Sequence, residues 1–309
     1  MRPTGGSEAR YSYRNIKPDE RILERYHDIG PSSTERPDAF FRRVTMSGLY
    51  IDSHCHLNPE HFPEGADPAI ARAHEAGVSH LMVVGGNVAS SADAVRTARS
   101  HERDGVYAVV GVHPHEASSV TSELPEDLLA LARDKSVRAI GETGLDYYYD
   151  HSPREAQLSV LSMHLEWARK ENLPLVFHVR DAYDDMLAVL RNEGSGLTGV
   201  IHCFSGTWEH AAAFLDMGYF LSFSGPVTYA KNEALRSIAA RVPDDRILCE
   251  TDSPYLSPSR PRGKRNDPAN VVEVYEIVAG VRGIPVEEFA VRVRENAFRL
   301  FHLEENADV

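Results

Sequence analysis

The strongest constraint on this chain is a regular alternation between short apolar runs and longer amphipathic segments. Eight runs rich in β-branched residues predict strands, and the segments between them carry the 3.6-residue apolar period of helices. The predicted strands are Leu49–Leu57, Val78–Gly85, Val106–His113, Val137–Gly144, Leu173–His178, Gly199–Phe204, Phe220–Gly225 and Arg246–Glu250. The predicted helices are Pro68–Ala76, Ala89–Arg103, Glu126–Asp134, Pro153–Glu171, Ala182–Asn192, Trp208–Met217, Lys231–Arg241, Asn270–Val281 and Val286–Phe301.

Strands that each precede a helix are typical of the α/β class, and here they predict a (β/α)8 TIM-type barrel, which occupies about 250 residues as one domain. A doubly wound open sheet is the alternative. No Gly-x-Gly-x-x-Gly follows the first strand, which weakens the dinucleotide-binding form of that alternative. We therefore predict a barrel over residues 48–309. Residues 1–47, rich in Arg, Glu, Pro and Ser without a sustained period, are predicted to be a flexible, poorly structured N-terminal extension.

Composition narrows the classes of function. No apolar run reaches the roughly 18–20 residues that a membrane span needs, and the N-terminus lacks a secretory signal pattern. Cys55, Cys203 and Cys249 lie far apart, which favours reduced thiols over a disulfide framework, so we expect a cytoplasmic protein without a membrane partner. The net charge of −13 argues against coating nucleic acid with the whole surface but leaves a local basic groove open.

The first predicted strand ends in Asp52-Ser53-His54-Cys55-His56. Side chains two positions apart on a strand share one face, so His54 and His56 lie side by side. Two neutral imidazoles so placed form half of a metal site, although an isolated pair is equally consistent with ordinary histidines near a strand end. Asp52 lies deeper on the strand, and we predict that it supports the site rather than binding an ion.

Enzymes with this fold place their chemistry at the C-terminal ends of the strands, so other strand ends should supply further ligands. Polar side chains do interrupt the apolar runs at those ends. The predicted metal ligands are His54, His56, Glu142, His178, His202 and Asp252. Nitrogen and carboxylate donors together suit divalent ions such as Zn²⁺ or Mn²⁺, and carboxylates also admit Mg²⁺.

Six ligands exceed the needs of one tetrahedral ion, so we predict two divalent ions roughly 3.5–4 Å apart, as in two-metal hydrolases. Glu142 lies on the strand between the two histidine groups and is the predicted bridge. His54 and His56 would hold one ion with Asp252, and His178 and His202 would hold the other.

These motifs resemble those of the TatD-type metal-dependent deoxyribonucleases of the amidohydrolase superfamily. The resemblance runs from about Leu49 to Phe301 and implies the barrel fold and a metal-dependent phosphodiesterase activity on DNA. Several other hydrolases of the superfamily bridge their ions with a carboxylated lysine, and Glu142 in that place favours the TatD-like branch. The matching pieces are Asp52–His56, Gly111–Pro114, Gly141–Tyr147, His202–Gly206, Glu250–Leu256, Arg262–Pro268 and Asn296–Phe301.

We accordingly predict a deoxyribonuclease in which a water activated by two ions attacks a phosphodiester of DNA, single-stranded or with frayed ends. Glu142 and Asp252 are the predicted catalytic residues, with Asp252 accepting the proton of the water. His113 is predicted to bind a phosphate oxygen; the alternative is a loop histidine before Pro114. The basic loop 259–266 supplies three further predicted DNA contacts, Arg262, Lys264 and Arg265.

Other interpretations stay open at this point. Tyr147, Tyr148 and Tyr149 could stack bases of a single strand or pack over the barrel mouth. The same metals could also hydrolyse a small ester, lactone or amide, or the aminoacyl bond of tRNA. A metal-dependent binding protein without catalysis is less favoured, because every ligand of the pattern is present.

Overall fold

The computed structural model describes residues 48–304, so the predicted extension 1–47 lies outside the described residues. Eight parallel strands form one sheet in the order β1 to β8. The strands are β1 Tyr50–Cys55, β2 Val78–Val84, β3 Val106–Val110, β4 Val137–Asp146, β5 Leu175–Arg180, β6 Gly199–Ile201, β7 Phe220–Phe223 and β8 Ile247–Cys249. The predicted TIM-type barrel is confirmed.

Backbone hydrogen bonds join β1 to the segment that follows β8. The N–H of Asp252 donates to the carbonyl of His54 at 2.9 Å, and the N–H of His56 donates to the carbonyl of Ser253 at 2.7 Å. This contact brings the first and last strands of the sheet together. It also sets Asp252 beside the histidine pair of β1, nearly two hundred residues earlier in the chain.

Helices follow the strands on the outside of the barrel. They are α1 Asp67–Glu75, α2 Val88–Ser100, α3 Glu126–Leu131, α4 Arg154–Glu171, α5 Tyr183–Glu193, α6 Trp208–Asp216, α7 Glu233–Arg241, α8 Val271–Arg282 and α9 Val286–Phe301. None of these helices in residues 48–304 has the length and apolar character that crossing a membrane requires. The last two brace the barrel: the hydroxyl of Tyr275 donates to the carbonyl of Ile51 at 3.0 Å, and Asn296 donates to that of Ile247 at 2.9 Å.

Several strands end earlier than the sequence predicted. β3 ends at Val110, β6 at Ile201 and β8 at Cys249, so the polar residues beyond them lie in the loops rather than in the strands. Within two of these loops, Cys203 and Asp252 adopt positive φ values of 44° and 55°. The predicted strand boundaries at these ends were therefore too long, although the order of the elements was right.

Gly144 allows β4 and β5 to approach closely. Its φ is 144°, and a Cβ at this position would lie 2.0 Å from the carbonyl oxygen of His178, so no side chain fits. Gly144 pairs with His178 in the register of the two strands. The glycine thus fixes the height of His178 beside the segment that carries Glu142.

Candidate metal centre

Glu142 lies at the centre of a buried cluster at the C-terminal mouth of the barrel. Its Oε2 is 3.4 Å from Nε2 of His54 and 3.6 Å from Nε2 of His56. Its Oε1 is 2.9 Å from Nδ1 of His178 and 2.8 Å from Nε2 of His202. The two oxygens of one carboxylate therefore face two separate pairs of histidines.

Asp252 lies beside the first pair. Its Oδ1 is 3.6 Å from Nε2 of His56 and 3.9 Å from Nε2 of His54. The side chain is 12% exposed, whereas that of Glu142 is 3% exposed. Asp252 is thus the carboxylate of the cluster that meets solvent, and all six predicted ligands converge on one place.

Acceptors outside the cluster fix the outer nitrogens of three of these imidazoles. The contacts are His56 Nδ1 with the carbonyl of Val84 at 3.0 Å, His178 Nε2 with Asp146 Oδ2 at 3.0 Å, and His202 Nδ1 with Glu250 Oε1 at 3.2 Å. Because each acceptor takes the ring N–H, the inner nitrogen of a neutral ring is left as a lone pair.

Those lone pairs point at the oxygens of Glu142, which also only accept hydrogen bonds when the group is ionised. Nε2 of His54 and Nε2 of His56 likewise face each other at 3.1 Å. A proton or a cation must therefore lie between these atoms. Imidazole nitrogens and carboxylate oxygens arranged in this way fit a divalent transition ion. Groups of three side chains close enough to hold such an ion include His54–His56–Glu142 and His113–Glu142–His178.

Burial and charge oppose each other in the cluster. Burial alone raises the pKa of Glu142, but His202, His113 and His54 hold that pKa well below its usual value. Burial lowers the pKa of His202, but the carboxylates of Glu142 and Glu250 raise it well above the usual value. Glu142 is therefore ionised, and a bound cation would take the place of the proton that His202 otherwise holds.

His113 belongs to the same cluster. Its Nδ1 accepts the backbone N–H of His115 at 3.1 Å, so a neutral ring carries its proton on Nε2, which lies 3.5 Å from Oε1 of Glu142. Burial lowers the pKa of His113 to about 4, so the ring is neutral at pH 7. His113 is a hydrogen-bond donor at the site rather than a positive charge.

Two carboxylates that the sequence did not assign to the site hold its histidines in place. Asp146 accepts from His178, and Glu250 accepts from His202 and from the backbone N–H of Cys203 at 2.7 Å. A signal for both was present, since each is an even number of positions from a predicted ligand on the same segment, the spacing of side chains on one face.

Asp52 is fully buried beneath the cluster. Its carboxylate accepts from the hydroxyl and the N–H of Thr251, at 2.5 and 2.9 Å, and from the N–H of His54 at 3.2 Å. Burial raises its pKa to about 8. Asp52 contacts the backbone of the segments that carry the predicted ligands, and its supporting role stays a prediction.

A cavity of about 760 Å³ opens over the cluster. Its floor contains Glu142, His178, His202 and Asp252. Residues on its walls include His113, His115, Tyr149, Arg180 and Tyr255. The cavity therefore gives a substrate direct access to the predicted metal ligands.

The basic loop lies elsewhere. Arg262, Lys264 and Arg265 are exposed and do not line this cavity. The guanidinium of Arg265 pairs with Glu64, and that of Arg262 lies 4.1 Å from the ring centre of Tyr229. The substrate-binding role of the three residues thus stays a prediction.

Comparison with known proteins gives relatives that span the whole barrel. A family model described as TatD related DNase matches residues 51–302. The chain is 41% identical over 260 residues to the uncharacterized metal-dependent hydrolase YcfH of Escherichia coli (strain K12), a match that covers 82% of this chain and 96% of that protein. It is 37% identical over 259 residues to the 3'-5' ssDNA/RNA exonuclease TatD of Pantoea ananatis, covering 82% and 99%. The crystal structure of YjjV, a TatD homolog from Escherichia coli K12, matches with a TM-score of 0.76 at 27% identity, covering 83% of this chain and 99% of that one.

Proposed function

The chain belongs to the TatD related DNase family and is a metal-dependent hydrolase, and from this premise we propose that it hydrolyses phosphodiester bonds of single-stranded DNA. The observation that carries the proposal is the placement of Glu142. One of its oxygens faces His54 and His56 and the other faces His178 and His202, as a carboxylate shared by two cations requires.

We assign the side chains around Glu142 to two divalent cations, Mg²⁺, Mn²⁺ or Zn²⁺. His54, His56 and Asp252 would hold one cation, His178 and His202 the other, with Glu142 shared by both. When bound, two such cations would neutralise negative charge on the phosphate and lower the pKa of a water molecule. The fit rests on the inner ring nitrogens, whose lone pairs face carboxylate oxygens. A positive charge between these atoms satisfies both, whereas another hydrogen-bond acceptor would be repelled.

Asp252 is the proposed proton acceptor. Burial raises its pKa, but the neighbouring imidazoles of His56, His202 and His54 lower that pKa below its usual value, so the group is ionised at neutral pH. Its partial exposure on the cavity floor lets it reach a water there. A carboxylate that is both ionised and accessible is what general-base catalysis needs.

His113 is the proposed donor to a non-bridging phosphate oxygen. Its Nε2 carries the proton because Nδ1 is occupied by the N–H of His115, and the ring lines the cavity. A neutral donor binds the phosphate without competing with the cations for position. Hydrogen bonds of this kind stabilise charge as it develops on the phosphate oxygens.

The substrate class is supported by the relatives, one of which is named as an exonuclease of single-stranded DNA and RNA. The test compares single-stranded DNA, duplex DNA and small carboxylic esters, each with Mg²⁺ or Mn²⁺ and in chelator. We expect cleavage of single-stranded DNA that stops in chelator and returns when the cation is restored. Rapid hydrolysis of an ester or of aminoacyl-tRNA while the DNA survives would replace this proposal by the small-substrate alternative.

The basic loop is tested by replacing Arg262, Lys264 and Arg265 with alanine. If the loop binds DNA outside the cavity, the triple variant should bind long single strands more weakly and with a flatter salt dependence. Hydrolysis of a small phosphodiester should not change. Cleavage of DNA at the wild-type rate at every salt concentration would remove the loop from the substrate path.

A further inference from the structure

The three consecutive tyrosines after β4 divide into two kinds. The hydroxyl of Tyr147 donates to Asp185 at 2.7 Å, and the guanidinium of Arg154 lies 4.0 Å from the centre of its ring. Tyr148 and Tyr149 are 59% and 49% exposed. Tyr147 therefore packs against the barrel, whereas the rings of Tyr148 and Tyr149 keep part of their surface exposed. The ring of Tyr149 lies parallel to that of His151, with the ring centres 5.6 Å apart.

Arg180 lies against those two exposed rings. Its Cζ is 4.3 Å from the ring centre of Tyr148 and 4.7 Å from that of Tyr149, distances at which a guanidinium is held by aromatic faces. Stacking of this kind leaves the N–H groups at the edge of the guanidinium free to bind an anion. Arg180 is also the only Lys or Arg among the described residues that line the cavity.

Among the residues that the structure describes, the charge of Arg180 has no acidic partner. No carboxylate in residues 48–304 forms an ion pair with it, in contrast to Arg265, which pairs with Glu64. A guanidinium that lines a cavity beside a candidate metal centre, without an acidic partner, is suited to a phosphate, which it can bind through two parallel hydrogen bonds.

Asp146 ties this group to the metal centre. Its Oδ1 accepts the backbone N–H groups of Tyr148 and Tyr149 at 3.0 and 2.9 Å, and its Oδ2 accepts from His178 at 3.0 Å. Asp146 also pairs with Arg180 in the register of β4 and β5. The two tyrosines and the arginine are thus held at a fixed position relative to the ligands, as a preorganised subsite requires.

We propose that Arg180, Tyr148 and Tyr149 form a subsite for the nucleotide next to the scissile phosphate. The guanidinium binds the phosphate of that nucleotide, and Tyr148 holds the guanidinium in place. The ring of Tyr149, which lines the cavity and has Arg180 and His151 against it, packs its exposed edge on the face of the base. The proposal rests on the proposed function and deepens it: the substrate is a strand with at least one further phosphate, and its base must be unpaired to expose a face to the ring.

The test compares two substrates that differ in whether they reach the subsite. Bis(p-nitrophenyl) phosphate offers one phosphodiester and no neighbouring nucleotide, whereas a single-stranded DNA octamer offers both. Arg180→Ala should lower kcat/KM for the octamer at least about 10-fold, the usual effect of losing a charged hydrogen-bonding group, and change hydrolysis of the small diester by no more than about 2-fold. Tyr149→Ala should lower kcat/KM for the octamer about 5-fold or more, and Tyr149→Phe should retain it.

Arg154→Ala is the matched control. It removes an arginine that stacks on Tyr147, and neither Arg154 nor Tyr147 lines the cavity. It should leave both substrates unaffected. The subsite is refuted if Arg180→Ala cleaves the octamer like the wild type. It is also refuted if both substrates slow equally, since Arg180 would then act only through the metal centre.

A binding measurement separates failure of the subsite from failure of the proposed function. If the wild type cleaves neither substrate, the proposed function fails, and anisotropy of a labelled single strand in chelator still tests the subsite. The wild type should then bind about 10-fold more tightly than Arg180→Ala, with a salt slope steeper by about one. Equal affinities, or no binding by the wild type, would overturn the subsite as well.

Discussion

The molecule buries histidines in two settings with opposite chemical consequences. At the mouth of the barrel, carboxylates surround His202; although burial lowers its pKa, Glu142 and Glu250 raise that pKa well above the usual value. On α4, the equally buried His164 has no carboxylate acting on it among residues 48–304, and burial lowers its pKa to about 4. Its Nδ1 donates to the carbonyl of Val160 at 2.8 Å, and its Nε2 accepts the N–H of Val112 at 3.0 Å.

The difference shows that nearby carboxylates, rather than burial or the number of histidines, define the candidate metal centre. The two hydrogen bonds of His164 go to backbone groups, so its ring is a neutral bridge between a helix and a loop. At the mouth, His56, His178 and His202 each have one nitrogen held by an outer acceptor and the other aimed at Glu142. Only the second arrangement leaves lone pairs for a cation.

The largest effect that separates the two settings should come from Glu142→Gln. The variant removes the negative charge that both histidine pairs share, so both cations should be lost and cleavage should fall by at least about 10³-fold, since the two-metal clamp supplies most of the charge stabilisation. Elemental analysis of the wild type should give about two divalent ions per chain, and the variant should hold fewer than one.

His164→Gln is the matched control for that experiment, since it replaces a buried histidine of the other setting. Metal content and cleavage should both remain near the wild-type values. If the wild type holds a single ion and Glu142→Gln keeps it, the shared carboxylate is wrongly assigned.

Asp252→Asn should have the next largest effect. The amide keeps the shape of the carboxylate but cannot accept a proton, so the fold should persist while the rate falls by at least about 10²-fold. The melting temperature and the circular dichroism spectrum check the fold, and the rate with single-stranded DNA checks the chemistry. A variant with unchanged rate would show that another group takes the proton.

The sequence predicted the barrel and the candidate ligands because both follow from short-range rules. Apolar runs at a regular spacing predict strands, and ligands at the ends of parallel strands must meet. His178 and His202, for example, follow runs on neighbouring strands, and the structure places Nδ1 of the first 3.4 Å from Nε2 of the second. The convergence of these ligands could therefore be predicted without knowing how their side chains are oriented.

What the sequence could not predict depends on partners far away in the chain. The basic loop was predicted to contact DNA from its charge density, but Arg265 pairs with Glu64, 201 residues earlier, and no local pattern reports that pairing. The division among the three tyrosines depends likewise on Asp185 and Arg180, which lie on other elements. The ends of β3, β6 and β8 were overpredicted, whereas β4 and β5 continue to Asp146 and Arg180, past their predicted ends at Gly144 and His178.

A smaller effect concerns protons that a cation must displace at the mouth. In the metal-free protein the pKa of His202 is raised, so the ring still holds a proton at neutral pH, and metal affinity should fall as pH falls, by up to about tenfold per pH unit for each proton displaced. Calorimetric titration with Mn²⁺ in two buffers of different ionisation enthalpy should report proton release. His164→Gln should release the same number of protons as the wild type. If the binding enthalpy does not change with the buffer, the cation displaces no proton and the assignment of a proton to His202 is contradicted.

The smallest effect, on stability, belongs to His164 itself. Its pKa in the folded state is about 4, below the roughly 6.5 of an unfolded chain, so the unfolded state binds the proton more tightly. Stability is therefore fully present above about pH 6.5 and is lost as the pH falls toward the folded pKa, by at most about 1.4 kcal/mol per pH unit. Between pH 7 and pH 5 the free energy of unfolding of the wild type, measured with urea in chelator, should fall by about 2 kcal/mol more than that of His164→Gln.

The glutamine suits this comparison because its Oε1 can still accept the N–H of Val112, so that at pH 7 it should cost no more than about 1 kcal/mol. The groups at the mouth titrate in both proteins and cancel in the difference. An equal loss of stability in the two proteins would mean that the ring of His164 reaches solvent or a negative charge when it is protonated. The two settings would then differ in degree only, and the carboxylates around Glu142 would no longer suffice to tell a metal-binding histidine from a structural one.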